Sequence, residues 1–237
     1  ATPAWRGTCA ICLNVLPFEA DKQLFYTCCC NSICSACSDK CGEYDTRCPL
    51  CRASRAVSHA ETLSRLQKHV DEGNANAMVL LGEVHLYRQG TLGLKKSPKR
   101  MFQLYEAAAL QGHANAQYAL GEACYNSGQG VKMDYAAAAH WLRRAAEQGH
   151  PGAQLELGAL FFEGKGVAQS YDDSVRWYRL AVAQGNTDAQ FHLGACYEDG
   201  RGVPRDLHEA LRLFKRAAAQ GHGDAARAVD DIRRALA

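Results

Sequence analysis

The chain has 237 residues, with 27 Lys and Arg against 25 Asp and Glu and a formal net charge of +2. No basic run or stripe stands out, which argues against nucleic acid or an anionic membrane as the main partner, and no apolar stretch nears the ~20 residues that span a bilayer. Ten of the twelve cysteines lie between Cys9 and Cys51, while all nine histidines lie from His59 onward, so two regions of different chemistry follow one another.

The N-terminal stretch "ATPAWRGTCAIC" has no apolar signal core and no initiator methionine, which fits a fragment. The simplest compartment is reducing, cytoplasmic or nuclear, where clustered cysteines read as metal ligands rather than disulfides. Residues 1–57 are too few to bury a large apolar core and call for a staple. Three C-x2-C knuckles are present: Cys9 with Cys12, Cys34 with Cys37, and Cys48 with Cys51. Two intervening residues let both thiolates reach one tetrahedral zinc from a tight turn. A redox pair would want a strand-to-helix context that is not visible here. Two zincs take eight ligands; the knuckles supply six, leaving two to come from Cys28, Cys29, Cys30 and Cys41.

The order knuckle, cluster, knuckle, knuckle resembles the RING finger of ubiquitin ligases. That resemblance implies a cross-brace with two Zn2+ per chain. Cys9, Cys12, Cys34 and Cys37 would form site one. Cys48 and Cys51 would form site two with Cys28 and either Cys30 or Cys29. Asn31 stands where most members carry a histidine, so this would be an all-cysteine variant, with Cys41 a free thiol. The resemblance also implies that Ile11, Pro49, Leu50 and Arg52 dock a ubiquitin-conjugating enzyme, with Arg52 bridging that enzyme and ubiquitin. Such a ligase contributes near-attack orientation and no catalytic residue. The plainer alternative is that Ile11 and Leu50 pack the small core and Arg52 is solvated.

Residues 58–73, "SHAETLSRLQKHVDEG", read as a linker helix that caps the following array. Ser58 and Glu61 make a capping box, and Leu63, Leu66 and Val70 share one face.

From Asn74 the sequence repeats. Leu-Gly pairs recur at Leu81-Gly82, Leu120-Gly121, Leu157-Gly158 and Leu193-Gly194, and units end at Gly112, Gly149, Gly185 and Gly221. Units therefore span 74–112, 113–149, 150–185 and 186–221, with a capping helix over 222–237. Each reads as two helices. Gly128, Gly164 and Gly200 stop the first as left-handed caps. Asp134, Ser170 and Asp206 cap the second, Asp206 with Glu209 as a capping box, and Ser97-Pro98 opens it in the first unit. Trp141 and Trp177 are expected in the core, as are Cys124 and Cys196. His113, His150 and His222 are read as polar contacts at the junctions, too far apart to share a metal.

The frame A-x3-LG…G-x-GV…A-x-QG resembles the Sel-1-like repeats, relatives of the tetratricopeptide family. The expected fold is thus a small zinc-bound RING-like cross-brace followed by an all-α right-handed helix-pair solenoid. The two resemblances together imply a ubiquitin ligase whose repeats hold a protein or peptide substrate. A zinc-stabilised, non-enzymatic interaction scaffold is the alternative.

Overall fold

The computed structural model describes residues 23–26, 31–34, 59–86, 94–126 and 133–236. Strands β1 (Gln23–Tyr26) and β2 (Asn31–Cys34) pair antiparallel, with Gln23 opposite Cys34 and Tyr26 opposite Asn31. Ten helices follow among the described residues. They are α1 (His59–Asp71), α2 (Ala75–Leu86), α3 (Pro98–Leu110), α4 (Ala114–Tyr125) and α5 (Tyr135–Glu147), then α6 (Pro151–Glu163), α7 (Tyr171–Ala183), α8 (Thr187–Asp199), α9 (Leu207–Ala219) and α10 (Gly223–Leu236).

These residues fall into two compact units that divide within α4, one ending at Leu120 and the other starting at Gly121. In the first unit α1 packs on α2 and α2 on α3, burying Leu66, Leu81, Met101 and Tyr105. In the second, each helix from α5 to α10 packs on the next, which makes this unit a helix-pair solenoid.

Local chemistry accounts for the helix ends. Asp134, Ser170 and Asp206 are extended, and their side-chain oxygens accept from backbone amides of the first helical turn. Ser97 does the same from Arg100, with proline leading α3. Each cap's own amide is also used: Asp134 donates to the Cys124 carbonyl, Ser170 to Phe161 and Asp206 to Tyr197. This alters the expected capping box at Asp206. Its amide is already taken by Tyr197, and the Glu209 carboxylate bonds Arg212 instead, at 2.8 Å to Nε. Gly164 and Gly200 close α6 and α8 with φ of 70° and 72°, a region only glycine enters without strain. Ser58 and Gly128 lie outside the described residues.

The Leu-Gly glycine is where the two helices of a unit touch. A Cβ on Gly158 would sit 2.7 Å from the Tyr178 ring; on Gly82, Gly121 and Gly194 it would strike Tyr105, Leu142 and Phe214. The large residue that meets the glycine therefore lies one position past Trp141 and Trp177. Both tryptophans are half-buried rather than core, although Leu104 and Leu213, at the same position of their units, are buried. An indole outgrows a site that fits leucine, and the Arg144 guanidinium covers the Trp141 ring at 5.4 Å. Cys124 and Cys196 are buried free thiols, as expected of small core residues. Burial raises the thiol pKa of both, Cys196 to about 11, which makes neither a nucleophile.

Candidate protein-binding face

Of the anticipated zinc and docking residues, only Cys34 belongs to a described element, as the last residue of β2. Cys9, Ile11, Cys12, Cys28, Cys29, Cys30, Cys37, Cys48, Pro49, Leu50, Cys51 and Arg52 lie outside the described residues, as does Cys41. Among the described residues no group of three or more His, Cys, Asp or Glu is placed to hold a metal ion. Nor is any described helix long and apolar enough to cross a membrane.

Three devices fix the repeats and their helices to one another. The first is histidine capping. His150 is buried, and its Nδ1 accepts from the Ala153 amide at 3.1 Å, capping α6. His113 Nδ1 accepts from Ala116 and His222 Nδ1 from Ala225 in the same way, while Asn186 and Asn74 hold the equivalent place with Oδ1. All three histidines are thus helix caps, and two of them also make the expected junction contacts: His113 Nε2 lies 2.9 Å from Asn76 Oδ1 and His222 Nε2 3.6 Å from Asp188 Oδ1, each in the preceding repeat. The frame allowed this to be seen, because asparagine, a strong capping residue, alternates with histidine there. An accepting Nδ1 must be unprotonated. Burial accordingly lowers the His113 pKa and brings that of His150 down to about 4, though each histidine's own backbone hydrogen bond partly opposes the shift.

The second device is a glutamine ladder. Gln154 is buried, and its Nε2 donates to the Ala146 carbonyl at the end of α5. Gln184, at the end of α7, donates to Gln154 Oε1 and to the Gly149 carbonyl, each at 2.8 Å. Gln220 likewise donates to Gln190 Oε1 at 3.0 Å. Buried amides need partners: the Gln184–Gln154 and Gln220–Gln190 pairs join the two helices of one repeat, while the bonds to the Ala146 and Gly149 carbonyls reach the repeat before and set its register. A glutamine that recurs beside alanine in an apolar helix was the sequence signal for it.

The third device is a latch. In the two described Gly-x-Gly loops the second glycine presses on the preceding repeat: a Cβ on Gly166 would lie 2.2 Å from the Tyr135 carbonyl oxygen, and one on Gly202 2.4 Å from that of Tyr171. The residue between the glycines reaches over an edge-to-face ring pair of that repeat. Arg201 lies 5.3 Å from the Phe162 ring and 5.9 Å from Tyr171, and Lys165 is 5.4 Å from Tyr135.

Fixed in this way, the unit presents the solvent side of its first helices as a surface of defined chemistry. Glu156 and His192 occupy the residue before the Leu-Gly pair in successive repeats, with Asp188 one turn before His192. The His192 ring stacks on Tyr178 at 5.5 Å, and Phe191 stacks on His222 at 4.5 Å. Burial, followed by the charges of Glu122, Asp188 and Glu163, raises the Glu156 carboxyl above its ordinary range.

Paired helices with a glycine crossing, a closing Gly-x-Gly loop and a period of 36 to 39 residues define a helix-pair repeat protein. The particular kind follows from comparison with known families. The Sel1 repeat model matches residues 75–113, 114–150, 151–186 and 187–222, more than half of the chain, and the chain belongs to that family. A Sel1 repeat protein from Oxalobacter formigenes superimposes with a TM-score of 0.64 at 31% identity, over 73% of this chain and 67% of that one. The chitin synthase regulator SKT5 of Saccharomyces cerevisiae is 33% identical over 102 residues, which are 43% of this chain and 14% of SKT5. HRD3A of Arabidopsis thaliana, an ERAD-associated E3 ubiquitin-protein ligase component, is 35% identical over 60 residues, 25% of this chain and 9% of HRD3A. This chain thus spans a small part of those curated relatives.

Proposed function

We propose that the chain is a protein-interaction scaffold whose Sel1 repeats hold a partner protein on the open side of their first helices. The observation that carries this reading is the run of four consecutive Sel1 repeats, whose units are fixed to one another by buried glutamine and loop-glycine contacts. Similarity to a chitin synthase regulator and to a ligase component supports a role in assembling or regulating other proteins. The test is quantitative capture of partners by the full chain. Loosening the latch with Gly166→Ala should abolish capture while the protein stays folded, whereas unchanged capture would remove the repeats from the binding role.

A second reading extends the first: the cysteine-rich segment is a RING-type zinc module that recruits a ubiquitin-conjugating enzyme, and the scaffold becomes a ubiquitin ligase. The knuckle spacing supports it. In this reading Cys9, Cys12, Cys34 and Cys37 hold one Zn2+, and Cys28, Cys30 (or Cys29), Cys48 and Cys51 the other. Ile11, Pro49, Leu50 and Arg52 dock the conjugating enzyme, in a cytoplasmic or nuclear setting. Two zincs per chain and self-ubiquitination lost in Arg52→Ala are the expected results. One zinc per chain would sink the cross-brace, and no activity with any conjugating enzyme would leave the scaffold alone. Chelation should unfold the segment, because structural zinc contributes roughly 10–16 kcal/mol to such modules.

A further inference from the structure

Lys95-Lys96-Ser97-Pro98-Lys99-Arg100 holds too few cations to make a nucleic-acid stripe, but they enclose a serine that proline follows. Two prolines of the chain follow a hydroxyl residue, Pro3 after Thr2 and Pro98 after Ser97, and only Ser97 has cations on both sides. Lys95, Lys96, Lys99 and Arg100 are all exposed, and none pairs with a carboxylate among the described residues.

The geometry leaves this hydroxyl free to react. Residues 94–97 lie outside any helix or strand, and Ser97 has φ of −143° and ψ of 89°. Its Oγ accepts one long bond from the Arg100 amide, 3.4 Å, and donates to no described acceptor. Ser170, the cap of α7, differs: its Oγ donates to the Asp173 carboxylate at 2.9 Å while accepting from the Asp173 amide. The chain after Ser97 is also lightly held, since Pro98 has no amide proton. Drawing Pro98 to Arg100 into an extended strand gives up that long bond and the Met101 amide's bond to the Ser97 carbonyl, 3.0 Å.

We propose that Ser97 is a phosphorylation site for a protein kinase that takes proline directly after its acceptor and cations further on. Proline suits a pocket that offers no partner to an amide, and Lys99 and Arg100 suit a groove of carboxylates. In the transfer, Ser97 Oγ attacks the γ-phosphorus of a nucleoside triphosphate. The bond to the diphosphate leaving group breaks as the Oγ–P bond forms, and the hydroxyl proton passes to the kinase's catalytic aspartate. The product replaces a neutral cap by a group of about −1.5 to −2 charge. Asp134 and Asp206 hold the equivalent place before α5 and α9 with permanent negative charge. Modification therefore gives α3, which has no acidic residue in its first turn, the start that those helices always have. It also brings an anion among four cations, which order around it. The Ser97 amide donates to the His85 carbonyl at 3.2 Å, and the Lys95 carbonyl accepts from His85 Nδ1 at 3.3 Å. What orders Lys95 to Arg100 thus also steadies the end of α2. The site is independent of what the repeats bind.

The experiment incubates the full chain with a proline-directed serine kinase and ATP, then reads stoichiometry by intact mass and position by peptide mapping. Phosphate should appear on Ser97, with Thr2 unmodified and nothing incorporated in Ser97→Ala. Lys99→Gln/Arg100→Gln should lower the kinase's kcat/KM for this chain about tenfold. In the phosphorylated chain, hydrogen exchange of the Arg100 and Met101 amides should slow about threefold at low salt, and less at about 0.5 M salt. A chain left unmodified while a free peptide of residues 91–103 is modified overturns the proposal, because the fold then withholds the hydroxyl. Failure of both overturns it too, because the sequence is then not recognised. Undiminished incorporation in Ser97→Ala does the same. Modification of Ser97 without slower exchange keeps the site and overturns the account of the helix start.

Discussion

The two helices of one repeat are equally long but face different burial problems. In α6 the buried residues Pro151, Ala153, Gln154, Leu157, Gly158, Leu160 and Phe161 cover about 180° of the helix at 100° per residue. In α7 the buried residues Ser174, Val175, Tyr178 and Ala181 cover about 120°. Both helices have two packed neighbours, the first its own partner and the second helix of the repeat before, the second its own partner and the first helix of the next repeat, but the second buries the narrower face and keeps a solvated back. The first helices carry the crossing glycines and the buried amides, and the second helices carry most of the basic charge. This difference explains why a change of similar size should have very different consequences in the two.

The largest effects should come where a first helix or its closing loop meets a neighbour with no space to spare. Gly158→Val pushes a side chain into the Tyr178 ring, which is buried, and Gly166→Ala adds a Cβ against a backbone carbonyl at positive φ. Each should lower stability by about 3 kcal/mol, read as a drop in the urea midpoint at constant slope. A change below about 0.5 kcal/mol in both would mean that the helices re-seat freely and the contrast between the two helix types is false.

Next comes the histidine cap. His150 is held neutral in the fold with a pKa near 4, against 6.5 as its ordinary value. Because the folded pKa is lowered, the contribution is complete above about pH 6.5 and is lost as pH falls towards 4, where the unfolded chain has already taken up a proton. The loss should approach about 3 kcal/mol at pH 4. His150→Asn should keep the cap, since Asn186 serves the same place in the next repeat, and should remove most of the pH dependence between 6.5 and 4. Thermal unfolding of both proteins at pH 7 and pH 4.5 checks this; equal slopes against pH would transfer the effect to some other group.

The smallest effect should be on the back of a second helix. Arg212 pairs with Glu209 on the surface of α9, and Arg212→Ala should cost under about 1 kcal/mol. A larger loss would show that the backs of the second helices are engaged in the fold after all.

Much of this was legible without the structure. The repeat period, the two helices per unit and the caps at Asp134, Ser170 and Asp206 depend on residues within a turn or two of one another, where propensity and hydrogen bonding act locally. The left-handed glycines at 164 and 200 belong to the same class. The grouping of carboxylates around Glu156 was not legible. Glu156, Asp188 and Glu122 are more than thirty residues apart in sequence, and their charges were lost in a near-zero total.

The sequence by itself determined a cysteine-rich segment with metal-ligand spacing and an array of helix pairs with defined beginnings and ends. The tertiary structure decided what the recurring residues are for: the Leu-Gly glycine admits Tyr178, the second loop glycine meets the Tyr135 carbonyl, the buried Gln154 ties its repeat to the one before, and His150 caps a helix as a neutral acceptor. The reason is physical. Each of these residues follows the local rules of its own segment, but its selective role is a contact at van der Waals or hydrogen-bond distance, for the glycines with an element some twenty to thirty-five residues away, and only packing brings those atoms together.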